Sequence, residues 1–331
     1  MRQLSSATAA LGVGRAGVAA VLVMLAAGCG ASGRDAASNA PVVVAKIETG
    51  KMIGSAAGLG GLWLSLHREG VVALLDPARN AIAATIPVGP SPDGPAIGLG
   101  AVWVPVEGRG LVRIDPRRKR VVGVTRGVYW EVATGAGAVW ALQWIGAPPG
   151  WFEWLGRTIA RIDPRSGRVV ARIDLDGRLA SIAVGEGSVW VANDVKREID
   201  RIDPDTNRVI ARIALPAEPD HVTVGEGAVW ATFRPGRLAR IDPVSNRVVA
   251  RIKTGSDAQY LDAGEGSVWV GNVNHITDST LARVDPATNR VTATTPVGDG
   301  PQSVSVGFGD VWVGSFEEGR VWRLRPYGLR P

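Results

Sequence analysis

The stretch GEGSVWVANDVKREIDRIDPDTNRVIARIAL, residues 185–215, decides the fold. Gly185-Glu186-Gly187 reads as a turn, and the short runs SVWVAN, EIDRIDP and RVIARIAL that follow read as strands. With LASIAVG (179–185) ahead of them they make four antiparallel strands, A to D. Between C and D stands Asp203-Pro204-Asp205-Thr206-Asn207. Proline supplies the fixed φ of a type I turn, and Asn207 sits where a left-handed residue closes a bulged hairpin.

The glycine–tryptophan signature recurs at seven places, ending at Trp63, Trp103, Trp140, Trp190, Trp230, Trp269 and Trp312, with intervals of 40, 37, 50, 40, 39 and 43 residues. A period near 40 without helical patterning means one four-stranded sheet per repeat, stacked radially. The expected fold is an all-β, seven-bladed β-propeller. Asp242-Pro243 with Asn246, Asp285-Pro286 with Asn289 and Asp163-Pro164 with Gly167 repeat the C–D turn, whereas Lys119 replaces asparagine after Asp115-Pro116. The aspartates read as turn acceptors and the seven tryptophans as fillers between blades. The seventh copy stops at Trp322-Arg323-Leu324-Arg325-Pro326 without a strand D, and Val42–Ile47 matches the missing one. Blade 7 is therefore expected to combine residues 42–50 with 298–326.

Composition narrows the class. The chain is 46% apolar and 21% charged, which excludes a disordered polymer, and its one cysteine excludes a disulfide framework or a cysteine-built zinc site. Arg2 and Arg15 precede the uncharged run Ala16–Gly28, which is shorter than the roughly 20 residues a membrane span needs. Residues 1–28 read as an export signal, with Leu25-Ala26-Ala27-Gly28-Cys29 as a lipobox and Cys29 as the lipidated residue. Residues 29–41 then form a flexible tether, and 42–331 the propeller. Removing 1–28 lowers the net charge from +6 to +4, which leaves no case for nucleic acid. The expected location is the extracytoplasmic side of a bacterial membrane, as a monomer touching the membrane only through the lipid.

GEGSVWVAN, RIDPDTNRVIARI and the VG after several D strands resemble the YVTN-type propeller repeats of surface and periplasmic proteins, over residues 42–326. The resemblance implies a seven-bladed propeller, an architecture shared with the streptogramin lyases. In those enzymes activity is linked to histidine and glutamate at the channel mouth with magnesium. No motif here aligns with their positions, so none is transferred.

Because chain direction alternates, the A–B and C–D turns share one rim and the variable B–C and D–A loops share the other. Loops on a rigid frame are the usual place for function. Four residues ahead of the first signature glycine stand Glu131, Ser181, His221 and Tyr260. Five ahead stand Asp93, Trp130, Asp220, Gln259 and Gln302. His221 beside Asp220, with Glu131 and Tyr260 across the mouth, carries acid–base potential. His275 lies in the next blade's B–C loop. The long interval after Trp140 holds a loop with Trp144, Trp151 and Trp154, aromatics that either close over the mouth or present a binding patch.

The leading expectation is a binding module for an envelope protein, a glycan or a small molecule, with no cofactor. The competing one is a lyase opening a cyclic depsipeptide or lactone, with His221 or His275 as general base and Glu131 as acid or metal partner. Magnesium is expected only under that alternative. A quinone-dependent dehydrogenase propeller ranks below both, since that group uses a longer chain and its own tryptophan signature.

Overall fold

A computed structural model describes residues 40–144, 157–273 and 279–327, all of which fall in one compact unit, Ala37–Pro331. They form seven four-stranded antiparallel sheets. Blade 4 runs Leu179–Gly185, Ser188–Asn193, Glu198–Asp203 and Arg208–Ala214, each within a residue of the strands read from the sequence. The A strands of neighbouring blades pack against one another around the centre. The B strands are buried, apart from the half-buried Trp144 that ends the one in blade 3, while the D strands alternate between exposed and half-buried over most of their length, as outer edges should.

The ring closes as expected. Val42–Glu48 pairs antiparallel with Arg320–Arg325, setting Ala45 opposite Arg323 and Lys46 opposite Trp322. The Lys46 ammonium sits 3.8 Å over the Trp322 ring, a cation–π contact at the joint.

The signature works as a unit. Each tryptophan is fully buried, and its Nε1 donates to the carbonyl of the first signature glycine, as Trp190 does to Gly185 at 3.0 Å. The indole packs on the following blade: Trp140 clusters with Leu179 and Val191 of blade 4, and Trp190 with Val229 and Phe233 of blade 5. On the other ring face lies an arginine from strand C, at 4.8 to 5.5 Å in six blades. In five of these blades that arginine reaches the C–D turn of the next blade, while Arg283 of blade 6 donates to the Pro326 carbonyl that follows the last strand C. Arg201 donates to Asn246 Oδ1 at 2.8 Å, Arg240 to Asn289 Oδ1 at 3.1 Å, and Arg323 to Asn80 Oδ1 at 2.7 Å.

The turns follow their chemistry. Asp203 accepts the N–H of Asp205 at 2.9 Å, and Asp76, Asp115, Asp163, Asp242 and Asp285 do the same two residues on. These N–H donors hold the turn carboxylates below their usual range. Asn207, Asn246 and Asn289 adopt φ of 57°, 56° and 57°, the left-handed conformation the sequence implies. Lys119 takes φ 50° in the same place.

Candidate functional site

The decisive local feature is a bulge in strand A near the variable rim. Pairing between strands A and B slips between Tyr129 and Glu131, Leu179 and Ser181, Pro219 and Val222, Ala258 and Leu261, and Pro301 and Ser303. A bulge releases one residue from the ladder and re-aims its neighbours. Simple alternation along the strand therefore stops describing which side chains face the channel. Three adjacent residues, Trp130, Glu131 and Val132, all border the channel mouth, although Trp130 also packs on the seam to blade 4 and Val132 on the seam to blade 2.

A cavity of about 380 Å³ opens at this end of the channel. It gathers Asp93, Trp130, Glu131, His221, Tyr260 and Gln302. Blades 1 and 2 contribute Gly54 and Gly94, whose backbones lie so close that a Cβ on Gly54 would fall 2.4 Å from Gly94 Cα. The two glycines let the strand A backbones of these blades approach closely, and Ile53, Ser55, Asp93 and Pro95 complete this sector of the wall. Among the described residues no lysine or arginine lines the cavity, and its ionisable carboxyls are those of Asp93 and Glu131.

The remaining predicted residues are placed elsewhere. Asp220 and Gln259 do not line the cavity, because in blades 5 and 6 the slip spans two residues. Asp220 pairs with Arg234 at 3.5 Å, and Gln259 donates to Asp257 at 2.9 Å. Trp144 ends strand B of blade 3 opposite Val128. Cys29, Trp151, Trp154 and His275 lie outside the described residues, as do the expected signal 1–28 and most of the tether.

Electrostatics separate the titratable groups. Burial, reinforced by the charge of Asp93, pushes Glu131 up to about 8. Ser181 Oγ donates to Glu131 Oε1 at 3.4 Å and accepts the N–H of Val222, which ties the carboxyl to the strand carrying His221. Burial raises Asp93 to about 6, opposed by His67. Burial alone lowers His221 to about 4, so its imidazole is neutral at pH 7. The His221 ring lies 4.9 Å from that of Tyr260, whose phenol is pushed up to about 12 by burial and by Glu131 and Asp220. Thr232 Oγ1 accepts the His221 N–H at 3.1 Å and donates to the Gln259 carbonyl at 2.9 Å, locking these two strands in register. Trp130 Nε1 and His221 Nδ1 are buried without hydrogen-bond partners, which is costly unless something supplies them.

Two groups near the channel were given no role from the sequence. His67, from the B–C loop of blade 1, acts on Asp93 of blade 2, a proximity created by the blade seam. Asp262 accepts the N–H groups of Ala263 and Val306 at 2.8 Å each, while burial still lifts it to about 6. Asp262 stands two residues ahead of the signature glycine Gly264, and its bond to Val306 crosses to the next blade, which repeat spacing alone does not reveal. Among the described residues no three His, Cys, Asp or Glu side chains converge as metal ligands.

No protein-family model and no curated protein matches the sequence. Among solved structures, the chain is similar to one described as "Streptogramin B lyase structure". The TM-score is 0.69 at 16% identity, over 86% of this chain and 96% of that one. At this identity the similarity is one of fold, and it agrees with the seven blades found here.

Proposed function

We propose that this protein is a ligand-binding propeller of the YVTN-repeat kind, whose working site is the channel mouth. One observation carries the reading: a cavity of about 380 Å³ on the variable rim concentrates Asp93, Trp130, Glu131, His221, Tyr260 and Gln302. That volume suits a small molecule or a single glycan unit better than a protein face. Glu131 enters as a neutral acid that donates a hydrogen bond, Asp93 and His221 as acceptors, and Trp130 and Tyr260 as flat apolar walls. The N-terminal sequence supports placing this ring outside the cytoplasm on a lipid carried by Cys29.

The second reading is a lyase acting on a cyclic depsipeptide or lactone. It is favoured by the structural similarity and by a neutral imidazole in the same cavity as a protonated carboxyl. In it His221 removes a proton and Glu131 protonates the leaving oxygen. General-base efficiency is best when the pKa lies near the working pH. At about 4, His221 is a weak base, which ranks binding first.

Small molecules co-purifying with the full chain and with its H221A and E131Q variants, identified by mass spectrometry, test the binding reading. It expects a species carried by the wild type and lost from both variants; identical profiles would refute it. Turnover of a cyclic depsipeptide by the wild type, abolished in H221A, would establish the lyase instead.

A further inference from the structure

The repeat breaks at one seam. Six blades set an arginine opposite the signature tryptophan, but blade 1 sets Leu74 opposite Trp63. The C–D turn of blade 2 therefore has no arginine arriving from blade 1. It also lacks the usual acceptor, since Lys119 stands in the asparagine position. Instead this turn carries four consecutive exposed basic residues, Arg117, Arg118, Lys119 and Arg120.

A cavity of about 430 Å³ opens here, lined by Leu59 of blade 1 and by Ala101, Arg113, Asp115, Arg117 and Arg118 of blade 2. In blades 4, 6 and 7 the strand C arginine donates its Nε to Ser188, Ser267 or Asp310. Ala101 holds the corresponding place in blade 2 and offers no acceptor, and Arg113 Nε is buried without a partner. Asp115, the one acid in the lining, already accepts the N–H groups of Arg117 and Arg118 and pairs with the Arg118 guanidinium at 2.9 Å. Its charge is committed to the turn, so the cavity keeps a positive excess.

We propose that this seam is an anion-binding site whose ligand carries a phosphoryl group. A tetrahedral anion with several acceptor oxygens matches the guanidinium groups that Arg117 and Arg118 carry on this turn, while Arg113, whose Nη1 donates to the Arg165 carbonyl of blade 3 at 3.3 Å, adds positive charge behind them. Leu59, Pro116 and Val122 give the cavity an apolar side for the organic part of the ligand. The site belongs to the A–B and C–D turn rim, opposite the channel mouth, and does not depend on what the mouth binds.

The test uses the full chain, its R117Q/R118Q variant, and an L74R/K119N variant that installs the missing clamp. Glycerol 3-phosphate is titrated calorimetrically, and co-sedimentation with phosphatidylglycerol vesicles is compared with phosphatidylcholine vesicles. The expected result is binding to glycerol phosphate, or to the anionic vesicles alone if a lipid headgroup presents the phosphoryl. R117Q/R118Q should weaken that binding by about tenfold or more. L74R/K119N should abolish it while the melting temperature holds or rises. If that variant fails to fold, the surface variant R117Q/R118Q still decides. Binding to neither probe, binding unchanged in R117Q/R118Q, or binding retained in a folded L74R/K119N protein overturns the proposal.

Discussion

His221 and Tyr260 meet across the seam between blades 5 and 6, with ring centroids 4.9 Å apart and planes tilted by 48°. The contact shields an imidazole whose pKa falls to about 4 through burial. Removing the phenol should rehydrate it. In an NMR titration, His221 should stay neutral from pH 5.5 to 8 in the wild type, and its pKa should move toward 6.5 in Tyr260→Ala. A wild-type value already near 6.5 contradicts this picture of the mouth.

Glu131 gives stability a definite pH dependence. Its pKa is about 8 in the folded chain against an ordinary 4.5, so the folded state holds an extra proton between those values. The group's contribution is full below about pH 4.5 and is lost as pH rises through 8. His221 acts oppositely, but only between about 4 and 6.5, and Asp93 is spent by about 6. Above pH 6.5 Glu131 therefore dominates among these mouth groups. Between pH 6.5 and 9 the group's contribution falls by about 2 kcal/mol, which should lower the melting temperature by roughly 4–8 °C. Glu131→Gln should flatten this slope, which scanning calorimetry would detect; an unchanged slope would contradict the assignment.

The arginine clamps make a graded prediction. Arg201→Ala removes the bond to Ser188, the bonds to the next blade's turn, and a cation over Trp190, and should cost about 2 kcal/mol. Asn246→Gly keeps the left-handed φ but loses the acceptor, costing about 1 kcal/mol. Lys119→Asn should stay within about 0.5 kcal/mol, because Leu74 sends no arginine to it. Urea unfolding of the three variants checks the order, and equal losses would show that the clamp contributes nothing specific.

Closure of the ring predicts an asymmetry at the amino terminus. Deleting residues 42–50 strips the fourth strand from blade 7 and bares the edge at Arg320–Arg325, whereas deleting 30–41 leaves that strand in place. The first deletion should lower the melting temperature far more than the second. Similar losses would mean that the paired strand adds little.

The blades were legible in the sequence because their determinants are local and repeated: a glycine turn, a tryptophan three residues after it, and a DP turn closed by asparagine. Even the split blade could be read, since VVVAKI copies strand D. What joins the blades was hidden. Arg201 and Asn246 are 45 residues apart, and nothing in either repeat says that one serves the other. The mouth was half legible. Asp93, Trp130, Glu131, His221, Tyr260 and Gln302 do converge, but Asp220 and Gln259 leave the cavity at a bulge that alternation cannot foresee.

The most direct measurement is a crystal structure of the protein with its co-purified or added ligand bound. The account predicts ligand density in the channel mouth, within hydrogen-bond distance of Glu131 and His221 and beside Trp130. A functional ligand seated only on the opposite rim, with the mouth holding nothing but ordered water, would contradict it.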